Sequence, residues 1–297
     1  MTHELLIRTI IWCCHPILKT MKKKAVIRIN RTACNVLLIT SILFFSGFPS
    51  MAQEKEENGN LTELSKQTQN PVANMYQVPL SYVGDFNSGP DKLFVSTLNL
   101  KPVIPIDLSK SLLFIFRAII PITFMPAPES KSGLSDIQLQ FYLSPKNKSK
   151  FIWGVGPLLS MPSGIPADLC SGKWTLGPNA AALVMLKKVV FGALVTQRWT
   201  VAGDGSMPEI NQLYANPYVN YNFHKGWALG YSPEFYVDWT KTTDNWNWPV
   251  GLVASKVFRI GKQPFSANLS YYYNVIRPEN YTDMYIKAGI TLLIPKK

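Results

Sequence analysis

From Trp227 to Thr240 the side chains alternate: Trp227, Leu229, Tyr231, Pro233, Phe235, Val237 and Trp239 share one parity, and Ala228, Gly230, Ser232, Glu234, Tyr236, Asp238 and Thr240 the other. A period of two predicts a β-strand with one apolar and one mixed face. The segment is far longer than the roughly 5 to 6 residues of an average globular strand. At about 3.3 Å per residue Trp227 and Trp239 lie roughly 40 Å apart, and a tilt of about 40° reduces this to a height of roughly 30 Å. That height matches a bilayer core. A tryptophan stands at each end of the apolar face, where such rings meet the headgroups.

The parity recurs along the chain. Leu112, Phe114, Phe116, Ala118, Ile120, Ile122 and Phe124 share a face opposite Arg117 and Thr123, and Ile137, Leu139, Phe141 and Leu143 oppose Asp136, Gln138, Gln140 and Tyr142. About twelve extended segments follow from Met75 onward: 75–83, 93–104, 111–124, 134–143, 151–160, 173–186, 189–200, 212–222, 226–239, 246–258, 264–275 and 283–294. Short connections such as Lys187-Lys188 and Gly261-Lys262 alternate with longer ones rich in Gly, Pro, Asp and Asn, such as 162–172 and 203–209. The fold class this predicts is all-β: a closed antiparallel transmembrane β-barrel of about 12 strands, with short periplasmic turns, longer extracellular loops and both chain ends in the periplasm. A soluble sandwich alternates too, but with shorter strands and a charged solvent face. Here the polar face is mostly Asn, Gln, Ser, Thr, Tyr and Gly. Prolines at 79, 102, 121, 217, 233 and 249 each remove a ladder donor, and are expected to mark bulges or strand ends.

The N-terminus changes the charge picture. Lys22, Lys23, Lys24, Arg28 and Arg31 form a basic region, 36–48 is an apolar run, and Ser50-Met51-Ala52 supplies the small residues of a cleavage site. The expected organisation is an upstream extension over 1–20, a signal peptide over 21–52, a flexible polar leader over 53–70, and the barrel over 71–297. Residues 1–52 carry seven of the 30 Lys and Arg and one of the 18 Asp and Glu, so the formal +12 of the full chain falls to +6. The remaining basic clusters fall in short turns, which argues against a nucleic-acid surface. Past residue 52 there is one cysteine, Cys170, and one histidine, His224, which excludes an internal disulfide and cysteine metal spacing. No cofactor or metal is expected.

The last strand adds a sorting signal. Lys287, Gly289, Leu292 and Ile294 are spaced polar-x-Gly-x-x-apolar-x-apolar, similar to the C-terminal signal read by the outer-membrane barrel assembly machinery, although the chain continues to Pro295-Lys296-Lys297 without a terminal aromatic. Several ordered strings follow along the chain: Asn70-Pro71-Val72-Ala73, Pro102-Val103-Ile104-Pro105-Ile106, residues 132–137 (SGLSDI), Leu143-Ser144-Pro145-Lys146, residues 152–157 (IWGVGP), Gly172-Lys173-Trp174, Gly177-Pro178, Val201-Ala202-Gly203-Asp204, and Ser255-Lys256-Val257-Phe258 through Gly261-Lys262-Gln263-Pro264. Together they resemble one family of bacterial outer-membrane barrels, named for the MetA pathway of phenol degradation and labelled transporter. The chain departs from the family at Ser135, where glycine is usual, and at Cys170, where a small residue is usual. The resemblance implies residence in the bacterial outer membrane among its lipids, and passage of small molecules.

Catalysis is the rival reading, since some outer-membrane barrels are hydrolases. A histidine-dependent esterase acting at the outer leaflet needs its histidine at the loop end, whereas His224 is expected in a short turn. Glu234 and Asp238 face the lumen four residues apart, about 13 Å between Cα atoms, too far for a close acid/base pair. They read instead, with Asp136, as a charged lining facing Arg117, Arg198 and Lys287. Such charges either pair across a small barrel and hold it closed, or line a constriction that sets which solutes pass. Tyr142, Tyr218, Tyr236 and Tyr272 are the candidates for contact with an aromatic or apolar solute, and the tryptophans read as interface girdles. The expected function is a passive channel for small, hydrophobic or aromatic compounds. The alternatives are a closed structural or partner-binding barrel and, third, a hydrolase.

Overall fold

The computed structural model describes residues 54–128, 130–146 and 149–296, with side chains from residue 60 onward. The expected upstream extension (1–20) and signal peptide (21–52) lie outside the described residues. A helix α1 (Glu54–Thr68) precedes fifteen strand segments: β1 (Met75–Ser88), β2 (Leu93–Leu100), β3 (Val103–Asp107), β4 (Leu112–Phe124), β5 (Ser132–Leu134), β6 (Ile137–Pro145), β7 (Phe151–Met161), β8 (Lys173–Met185), β9 (Val189–Gly203), β10 (Asn211–Asn222), β11 (Trp227–Tyr231), β12 (Phe235–Asp238), β13 (Trp248–Ile260), β14 (Gln263–Ile276) and β15 (Met284–Pro295).

β2 and β3 form one stave of the wall, as do β5 with β6 and β11 with β12, so fifteen segments make twelve staves. Every pairing is antiparallel to the next stave, and β1 closes the ring on β15 with Ser81 opposite Gly289. Closure leaves no free edge, which a wall immersed in hydrocarbon requires. The connections sort as expected. One end carries the tight turns and the start of β1 with the end of β15 (the turn end), and the other carries most of the longer loops (the loop end). At the β13–β14 turn Gly261 takes φ +60°, a conformation that glycine adopts without strain.

The outward face is apolar and uncovered. Val155, Leu176, Phe191, Leu229, Leu252 and Leu269 are all more than 40% exposed, in a belt that runs round the wall. A belt of this extent has no place in water and is the surface a bilayer requires. Trp153 sits on it near the turn end, and Trp174, Trp199, Trp239, Trp246 and Trp248 near the loop end, all exposed.

The strand from Trp227 to Thr240 is not continuous, contrary to the alternation. β11 stops at Tyr231 and β12 resumes at Phe235. Pro233 has no N–H to give to a ladder, and the chain at Ser232-Pro233-Glu234 turns inward. There the Asn216 side chain donates to the Pro233 carbonyl at 2.7 Å and to Ser232 Oγ at 3.1 Å, while the Ser232 N–H donates to the Tyr272 hydroxyl at 2.7 Å. Asn247 mends the wall behind the bulge, accepting from the Tyr236 N–H at 2.6 Å and donating to the Glu234 carbonyl at 3.1 Å. The other prolines divide. Pro102 falls between β2 and β3 and Pro249 at a register shift, but Pro79, Pro121 and Pro217 sit within paired strands, opposite Thr291, Asn99 and Ala193.

The polar leader is the second correction. Residues 54–68 form a helix, although few apolar residues suggested a mobile segment. Its apolar surface is small, but the barrel supplies the rest. Leu64 is buried with Ala73, Met75, Val257 and Leu293, and Leu61 packs against the same cluster. Polar groups are met as well: Ser65 Oγ and the Gln69 side-chain amide both donate to Asn222 Oδ1, at 3.1 and 2.8 Å. Beyond the helix, Val72 enters the turn end of the barrel and joins Ile115, Tyr142, Leu183, Val190 and Tyr218 in its core.

Candidate functional site

On each stave alternate residues point inward, and together they line one cavity of about 620 Å³: Ser81, Val83 and Asp85 on β1, Thr97 and Asn99 on β2, Thr196 and Arg198 on β9, Tyr214 and Asn216 on β10. The wall is built from side chains that hydrogen-bond water, with a few aliphatic positions between them. Thr68, Gln69, Asn70 and Pro71 form its floor at the turn end. Toward the loop end a second cavity of about 230 Å³ shares Gln212, Tyr236 and Tyr281 with the first.

Six charged side chains line the main cavity: Asp85, Lys101, Arg117, Arg198, Glu234 and Lys287. The inward bulge carries Glu234 into the lumen, where its Oε1 accepts from Lys287 Nζ at 2.7 Å. Both side chains keep about a quarter of their surface exposed, so the pair is solvated and its net strength modest. Lys101 and Arg117 lie within electrostatic reach of the same carboxylate. Arg198 is held by Gln212, whose Oε1 accepts from its Nε at 3.1 Å.

Six tyrosines also line the cavity: Tyr214, Tyr218, Tyr236, Tyr272, Tyr281 and Tyr285. The rings of Tyr214 and Tyr236 lie 5.1 Å apart, and those of Tyr272 and Tyr285 stack at 5.2 Å. Tyr285 also receives the Glu234 N–H at 3.4 Å, so this pair supports the bulge from across the lumen.

Of the residues singled out by parity, Arg117, Arg198, Glu234, Lys287, Tyr218, Tyr236 and Tyr272 line the main cavity. Three do not. Tyr142 points inward but is fully buried in the turn-end core, where its hydroxyl donates to Gln140 at 3.2 Å. Asp136 lies at the loop end, accepting the Ser171 N–H at 3.1 Å. Asp238 lines the outer cavity and caps its own loop through Thr240. Parity reports the face and not the height along the stave, so it does not separate these three from the lining of the main cavity. Sequence reasoning missed Lys101, which precedes Pro102, and Asp85, which the alternation left in a loop. Tyr214 and Tyr285 were legible by the same parity. His224 lies exposed at the turn end, in a 3-10 turn spanning His224–Gly226.

No protein-family model matches the chain, and no curated protein matches it. Solved structures do. An outer-membrane channel from Pseudomonas putida F1 is 16% identical, with a TM-score of 0.57 over 74% of this chain and 96% of that one. The NanC porin is 13% identical, with a TM-score of 0.46 over 73% of this chain and 98% of the porin. The outer-membrane phospholipase OMPLA of Salmonella typhi is 11% identical, with a TM-score of 0.39 over 79% and 98%. At these identities the likeness is one of fold: the chain has the fold of an outer-membrane β-barrel.

Proposed function

We propose that the protein is a passive channel of the bacterial outer membrane for small solutes, with the turn end in the periplasm. The observation that carries this reading is the cavity of about 620 Å³, lined by polar, charged and tyrosine side chains inside a closed apolar-coated wall. A filled structural barrel would spend that space on packed aliphatic side chains, as the turn-end core does. The tyrosine faces favour a solute with an aromatic or apolar body, in keeping with the strings that resemble the phenol-degradation barrels. The reading assigns no catalytic role to any residue. Insertion by the outer-membrane assembly machinery, through the signal on β15, belongs to the same proposal.

The floor formed by residues 68–73 favours a second reading, a closed barrel that supports the envelope or binds a partner without transport. Planar-bilayer recording and liposome swelling with purified protein separate the two. Conductance and solute flux support the channel, and their absence supports the closed barrel.

A further inference from the structure

The lumen charges do not balance. Four cationic side chains face two carboxylates in the main cavity. Glu234 stands in the field of Lys287, Lys101 and Arg117, and Lys287 occupies it at 2.7 Å. Neither Lys101 nor Arg117 comes within ion-pair distance of a carboxylate among the described residues. The register makes this costly. Val103 on β3 faces Arg117 on β4, so Lys101, two residues along on the same inward face, is a diagonal neighbour of Arg117, about 7–8 Å away by sheet geometry. Two like charges at that separation repel, the more so where the lumen wall limits screening by water. A lining that served only to hold the barrel together would set a carboxylate between them.

We propose that Lys101 and Arg117 form an anion-selecting constriction, and that the solute is a small organic acid whose carboxylate sits between them and whose aromatic or apolar body lies against Tyr214 and Tyr236. This deepens the channel reading and rests on it. Arg117 offers the planar fork that matches a carboxylate, and Lys101 a mobile point charge beside it. Tyr214 lies in the electrostatic neighbourhood of Arg117 and pairs with Tyr236 at 5.1 Å, which sets an aromatic surface next to the cationic one. Rings of Lys and Arg are the device by which pores admit anions and turn cations back. The Glu234–Lys287 pair is neutral as a unit, which leaves Lys101, Arg117 and Arg198 facing the single carboxylate of Asp85, with Arg198 already held by Gln212.

The test is the reversal potential of the full mature barrel in planar bilayers under a KCl gradient, followed by current block with benzoate, benzyl alcohol and benzylammonium. The proposal expects chloride to permeate better than potassium and benzoate to block best. The double variant Lys101→Gln/Arg117→Gln is expected to lose that preference several-fold and to lose benzoate block, with Lys262→Gln in an exposed turn unchanged. The wild-type comparison of the three aromatic probes stands even if the double variant does not fold. An open wild-type pore that prefers potassium, or that benzoate and benzylammonium block equally, overturns the proposal and leaves the channel reading in place. A folded double variant that retains full anion preference overturns the assignment of these residues. A wild-type barrel with no conductance contradicts the channel reading itself, and with it the inference.

Discussion

Lys287 Nζ donates to Glu234 Oε1 across 2.7 Å of lumen, joining the inward bulge at Pro233 to the stave that closes the barrel on β1. Fifty-three residues of sequence separate the two. The contact exists because one strand breaks and turns inward. Replacing Glu234 by Gln leaves Lys287 without its counter-charge in a partly solvated site. The expected cost is about 1 kcal/mol, the scale of a solvated pair. Chemical unfolding of the lipid-embedded barrel measures the stability change, and single-channel recording is expected to show stronger anion preference. An unchanged selectivity would place Glu234 outside the conducting path.

The bulge itself depends on Asn216. Its amide donates to Pro233 O and Ser232 Oγ from the neighbouring stave, and Asn216→Leu leaves both acceptors unmet. Unsatisfied polar groups in a confined interior cost about 1–3 kcal/mol each. The expected result is a destabilised barrel of unchanged strand content, with a loosened Glu234 and noisier current. Circular dichroism together with unfolding midpoints checks it.

Helix α1 holds the floor of the lumen through a small apolar contact. Burying a leucine such as Leu64 is worth about 2 kcal/mol, so Leu64→Asp, which also buries a charge, is expected to release the helix while the ladders persist. Conductance should rise several-fold, with residues 54–70 becoming open to protease. A protease-sensitive helix with unchanged conductance would show that the floor does not limit flow.

At the loop end Lys173, almost fully buried, donates to Glu209 at 2.6 Å and ties the β9–β10 loop to the start of β8. The hydrogen bond from Lys173, with a further one from Thr200, holds the Glu209 carboxyl below the ordinary glutamate range. A carboxylate whose folded pKa is depressed contributes stability above its unfolded pKa and loses it as pH falls through the folded value. Hydrogen exchange in residues 204–210 is therefore expected to quicken on acidification below the usual glutamate pKa. Glu209→Gln should show fast exchange at every pH.

How much of this was legible is instructive at particular residues. Parity located the twelve staves and put Arg117, Arg198, Glu234 and Lys287 on the inner face, because a period of two is a property of local backbone. The break at Pro233 was not legible, since Tyr231 and Phe235 keep the same parity on either side of it and the bonds that draw the bulge inward come from Asn216 and Tyr272, far away in sequence. Helix α1 was missed for the same kind of reason. Its own residues carry too few apolar groups to predict order, and Val257 and Leu293 of the barrel supply the surface that Leu64 buries against.

The central claim is that the lumen conducts. Purified protein in planar bilayers at symmetric KCl measures it directly. The account predicts discrete conductance steps, small because residues 68–73 narrow the turn end. A folded, membrane-inserted barrel that shows no conductance, both as wild type and with α1 released by Leu64→Asp, would contradict it.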